Sequence, residues 1–175
     1  MPGSLSHLSA RFFDVLQSKP LSGTEVRAVE HWLGPALAVI FFDQPPEDQR
    51  HGYHAALVVV ADHSASDEVI EAALLHDVGK RHAGLGIVGR SIASVLIRLG
   101  APLSPKMAVY KNHGLRAARE LASAGANQLS VEFAEHHHES RPSYIDPTTW
   151  SLLQLADQPP KPRSLIRTGI TSTTE

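Results

Sequence analysis

The sequence predicts a single all-α domain, and three observations carry that expectation. Apolar residues recur at helical spacing along most of the chain, with short breaks and little strand-type alternation. Helix start signals recur at intervals: Ser22-Gly-Thr-Glu25, Pro45-Pro46, Ser66-Asp67, Ser104-Pro105 and Asp146-Pro147. The length of 175 residues, with 42% hydrophobic and 19% charged residues, suits one sizeable core and is short for two.

Each expected element has a local reason. Leu5 to Gln17 carries the first helical pattern. Ser22 and Glu25 have capping-box spacing and open a second helix through Leu33, after which Pro35 to Phe42 continues apolar. Pro45-Pro46 opens a helix over about 47–61, because proline is tolerated in a first turn. Ser66-Asp67 opens the next, which runs into Leu74-Leu75-His76-Asp77. Gly79, Gly84 and Gly86 then predict a flexible stretch. A helix over about 88–99 stops at Gly100, and a short one starts at Ser104-Pro105. Helices over about 113–124, 127–137 and 146–157 follow, and Pro159-Pro160 ends the last. The organisation expected is an N-terminal helical segment over 1–44 packed on a core over 45–160, with a flexible tail over 161–175.

Composition excludes several chemistries. Cysteine is absent, which removes disulfides, thiolate-bound zinc, iron–sulfur clusters and a thiol nucleophile. A net charge of -2 gives no basic surplus for nucleic acid or an anionic membrane. The N-terminus lacks a basic stretch followed by an apolar one, and the apolar runs 33–42 and 55–61 are well short of the roughly 20 residues of a membrane span. A cytoplasmic protein is expected. The unusual number is 11 histidines. Without thiolates, a metal site in this chain must be built from imidazole and carboxylate.

Several patterns gather those groups. Ala72-Ala-Leu-Leu-His76-Asp77-Val-Gly-Lys80 ends an apolar helix on adjacent His and Asp, and a carboxylate with two oxygens can serve two ions. Glu47, His51 and His54 stand four and three residues apart, the spacing of one helix face. His113, the run His136-His137-His138 and Asp157 add further donors. Successive helical residues point about 100° apart, so three consecutive histidines on a helix cannot all meet one ion.

In order, His51, His76-Asp77 and Asp157 resemble the HD-domain superfamily of metal-dependent phosphohydrolases. The segment 72–80 (AALLHDVGK) carries the signature, 50–59 (RHGYHAALVV) is similar to the opening motif, and 152–158 (LLQLADQ) to the closing helix. His113 and the triple histidine resemble the two-metal branch related to HD-GYP phosphodiesterases. The Gly-Tyr-Pro segment of that branch is replaced here by Ser140-Arg-Pro-Ser-Tyr144, which argues against cyclic di-GMP as substrate. The stretch Leu85-Gly86-Ile-Val-Gly89-Arg90 is similar to that of small bacterial HD/HDIG-type proteins.

The resemblance implies an all-α, single-domain HD helical bundle. It implies two divalent ions, of Mn, Fe, Ni, Zn or Mg, held by His51, His76, Asp77, His113, His136, His137 and Asp157, with Asp77 shared. His54 is the rival of His51, His138 that of His136, and Glu47 is a secondary ligand candidate. The implied activity is hydrolysis of a nucleotide or other small phosphate ester by a metal-bridging hydroxide. Asp77 and Lys80 are the implied catalytic pair, and Lys80 and Arg90 the phosphate contacts, with Lys111 a weaker one. The alternative is a non-catalytic HD module that binds metal and nucleotide as a sensor.

Overall fold

The computed structural model describes residues 19–62 and 65–158. The helix expected over 5–17, the tail over 161–175, and His7 and His63 lie outside these. Among the described residues the chain is all-α: α1 (Gly23–Phe42), α2 (Pro46–Val60), α3 (Asp67–Leu75), a 3-10 helix (Val78–Ala83), α4 (Ile87–Arg98), α5 (Pro105–Lys111), α6 (His113–Ser123), α7 (Gln128–His136) and α8 (Pro147–Ala156). No helix among them is long and apolar enough to cross a membrane.

The start signals act as capping chemistry predicts. The Ser22 hydroxyl accepts from the Glu25 backbone N–H at 3.4 Å, and the Glu25 carboxylate accepts from the Ser22 N–H at 2.7 Å. Ser104, Asn127 and Asp146 cap α5, α7 and α8 in the same sense. α1 is two helical segments joined at Gly34, whose φ of 66° is open to glycine and whose successor, Pro35, disfavours helical backbone before it.

α3 is the centre. Val69, Ile70, Ala72, Ala73, Leu74 and Leu75 are buried, so it is apolar nearly all round, and α1, α2, α7 and α8 surround it. Phe41, Val59, Leu74, Leu75, Leu121, Phe133 and Leu153 make the core. At about 2 kcal/mol for each fully buried large side chain, these contacts are the main force holding the bundle closed.

The flexible stretch expected at Gly79 is absent. Residues 78–83 form the 3-10 helix, with Val78, Gly79 and Ala83 buried. Gly79 serves close approach instead: a Cβ there would stand 2.1 Å from the carbonyl oxygen of His113. Gly52 does the same between α2 and α3, and Gly114 between α6 and α7, with backbone oxygens 2.8 Å and 2.7 Å from where a Cβ would be. Each of these glycines lies within two residues of a histidine or aspartate singled out above. Helix backbones therefore meet where those side chains must converge.

Candidate metal centre

The end of α3 builds the middle of the site. His76 follows the last helical residue, and Asp77 has φ -104° and ψ 1°, outside the helix. This break turns both side chains inward, and both are buried. The two oxygens of Asp77 face different neighbours. Oδ2 lies 3.4 Å from His76 Nε2 and 3.6 Å from His51 Nε2. Oδ1 lies 3.3 Å from His113 Nε2 and 3.4 Å from His137 Nε2. Asp157, just past α8, puts Oδ1 3.1 Å from both His51 Nε2 and His76 Nε2.

Three imidazoles are oriented by one device. Nδ1 of His76 donates to the carbonyl of Ala73 at 2.9 Å, that of His113 to Tyr110 at 2.7 Å, and that of His137 to Ala134 at 2.9 Å. A carbonyl can only accept, so each Nδ1 carries the hydrogen. In the neutral ring each Nε2 is then a lone-pair donor aimed inward, the arrangement seen in metal-bound histidine. The ring of Phe133 packs beneath His76 and His137, with centroids 5.8 Å from each.

Two four-residue groups result, each with donor atoms within 4.8 Å of one another: His51, His76, Asp77 and Asp157; and Asp77, His113, His137 and His138. In the second, Asp77 Oδ1, His113 Nε2 and His137 Nε2 are buried with no hydrogen-bond partner. Buried polar atoms are rarely left so, and three of them facing one another fit a cation. The donor set suits a borderline to hard divalent ion.

The charge pattern agrees. Burial alone would raise the Asp77 carboxyl, but the charges of Lys80 and His76, with the His113 and His137 rings close by, hold it well below the usual carboxylate range. Burial likewise works against charge on His76, yet Asp77 and Asp157 lift it to about 10. His137 is lowered, first by burial, and stays neutral. Lys80 Nζ pairs directly with Asp77 Oδ2.

The placement of the sequence-derived candidates is specific. His51 enters the cluster, whereas His54 is exposed on the outer side of α2. His138 takes the place expected for His136. His136 instead points between two carboxylates, with Nδ1 3.1 Å from Glu139 and Nε2 3.7 Å from Glu132. α7 ends at His136, so the turn that follows brings His137 and His138 together, with ring centroids 3.9 Å apart. Glu132 and Glu139, four residues before and three after His136, were the signal in the sequence for its outward face.

Glu47 belongs to neither group, and Lys111 is exposed at the end of α5. Arg90 differs from expectation: its Nη1 pairs with both oxygens of the buried Asp48 at 2.6 and 2.7 Å, and its Nε donates to the Leu85 carbonyl. Its charge is thus compensated, and it fastens the start of α4 to the start of α2. Arg50, the residue before His51, joins two helices. Its guanidinium pairs with Glu25 at 2.6 and 3.0 Å and donates to the carbonyls of Lys19 and Pro20, which fixes α2 against the start of α1. His82 pairs with Glu120, and His31 is exposed.

Comparison of the chain with protein-family models, with characterised proteins and with solved structures finds no match.

Proposed function

We propose that the protein is a metal-dependent phosphohydrolase or phosphodiesterase of the HD type, acting on a nucleotide or another small phosphate ester with two divalent ions. One observation carries the reading: the two oxygens of buried Asp77 face two separate sets of imidazole nitrogens, three of these atoms being without a hydrogen-bond partner. A lone structural ion would need one such set. A shared carboxylate between two sets is the layout that hydrolysis of a phosphate ester exploits.

His51, His76 and Asp157 would hold one ion with Asp77, and His113, His137 and His138 the other. Bound divalent ions lower the pKa of water and offset charge on a phosphoryl group. The chain's own contribution is orientation. The Nδ1 hydrogen bonds of His76, His113 and His137 keep their Nε2 lone pairs directed inward without reorganisation. Phe133 and the buried end of α3 keep water from the back of the cluster. Lys80 is the cation placed to meet a non-bridging phosphate oxygen. Its ammonium now neutralises Asp77, and ions bound there would release it. Arg90 is assigned the fastening of α4, since Asp48 already occupies it.

The test is metal analysis of the purified protein together with turnover of a panel of nucleotides and phosphate monoesters and diesters. Two ions per chain and metal-dependent release of product are expected. Tight binding with no turnover under any metal would leave the sensor reading in its place. No metal bound, and none taken up on reconstitution, would remove both.

A further inference from the structure

α4 is the least buried of the longer helices. Of its twelve residues only Ala93 is buried, and its principal neighbour among the described residues is the short α5. Ala93 and the half-buried Leu96 and Ile97 face inward. On the other side Val88, Ile92, Val95 and Leu99 are 60%, 47%, 43% and 73% exposed. Their spacing of four, three and four residues forms one continuous stripe, the seam of a helix pair. No charged residue interrupts it, and the only charges on α4 are Arg90 and Arg98.

We propose that this stripe is a dimer interface, and that a second copy of this chain covers it with α4 packed antiparallel on α4. The stripe is its own complement under a two-fold axis between residues 93 and 94. Val88 of one copy meets Leu99 of the other, and Ile92 meets Val95, so smaller faces larger at every step. Parallel packing would set Leu99 on Leu99 and the exposed Arg98 beside its own mate. Antiparallel packing carries Arg98 to the opposite end of the neighbouring helix. Arg90 stands there with its charge already taken by Asp48, and Glu47, the residue before Asp48 in the first turn of α2, forms no ion pair of its own among the described residues. Arg98 and Glu47 are thus complementary across the axis.

The size of the patch sets the strength. The four residues expose about 400 Å² per copy, within the range of the largest apolar patch on a monomer, which is often functional. Doubled, this falls short of the roughly 1,000 Å² that a stable interface clears, so the dimer is a weak one that should dissociate in a concentration range that sedimentation can reach.

Sedimentation equilibrium of the full chain, at concentrations from about 1 to 300 μM, tests this. A reversible monomer–dimer equilibrium is expected. Ile92→Glu with Val95→Glu should abolish the dimer and leave the melting temperature within a few degrees, since both side chains are exposed. Arg98→Glu should weaken association severalfold, and adding Glu47→Arg should recover it. A chain monomeric at 300 μM, or a dimer that survives Ile92→Glu/Val95→Glu, overturns the interface. A charge swap that fails to recover the Arg98→Glu loss overturns the antiparallel arrangement.

Discussion

Gly79→Ala is the sharpest test of how the cluster is assembled. The added Cβ would fall 2.1 Å from the His113 carbonyl oxygen and 3.0 Å from the Ala117 nitrogen. Real contacts of this kind are rarely under 3.0 Å, so the 3-10 helix and α6 must part by about 0.9 Å. The obstacle is helix backbone, which cannot rotate away as a side chain can. Overpacking costs about 1–3 kcal/mol, and this case belongs at the upper end. For a chain of this size each kcal/mol lowers the melting temperature by about 2–4 °C, so a fall of roughly 6–12 °C is expected.

The displacement also moves His113 Nε2 away from Asp77 Oδ1, now 3.3 Å distant. A loss of that order in placement is enough to weaken one ligand set selectively. Metal analysis well below the melting temperature should therefore show the His113 half of the site depleted and the His51 half filled. Gly86→Ala is the control, because nothing lies within 4 Å and φ is -69°. It should change stability by no more than about 0.5–1 kcal/mol. A Gly79→Ala protein with wild-type melting and full metal content would refute the view that this contact sets the distance between Asp77 and His113.

Three further outcomes follow from the same geometry. His138→Ala should weaken divalent-ion binding at least about tenfold by calorimetry while His136→Ala leaves it unchanged, and equal losses would mean that His136 turns inward on binding. Asp77→Asn should remove both ions, as measured by elemental analysis, and retention of two per chain would end the shared-carboxylate reading. Glu25 is lowered from 4.5 to about 2, first by its bond from Arg50 and then by the Ser22 N–H, so its contribution to stability is complete above pH 4.5 and lost as pH falls through about 2. Allowing for partial exposure, Glu25→Gln should cost about 1 kcal/mol at pH 7 in urea unfolding and flatten the acid limb between those values.

Much of the fold was legible because the signals are local. Ser22 with Glu25, Pro45-Pro46 and Asp146-Pro147 act on their own first turns, and the bounds of α2 to α8 moved by only a residue or two, while α1 runs on past Leu33 to Phe42. The donors were legible as a set because few residue types can hold an ion in a chain without cysteine. What lay beyond the sequence was non-local or depended on where a helix ends. Helical rotation alone treats the pairs 136–137 and 137–138 alike, and it takes the end of α7, together with Glu132 and Glu139 around His136, to separate them. Gly79 looks like a hinge until the His113 carbonyl 34 positions later is set against it. Asp48 and Arg90, 42 residues apart, look like two solvated charges until burial pairs them.

The reach of the cluster along the chain bears on how the protein folds. His51 and Asp157 bond across 106 residues, and His76 and Asp157 across 81. Closing loops of that length costs entropy that only a consolidated core can offset, so these contacts belong to the final steps of folding. A growing chain that has emerged as far as His138 has every donor except Asp157, and so it lacks the residue that joins His51 to His76. An ion held by the whole set would therefore report completion: if its ligands meet late, it would slow unfolding more than it speeds folding.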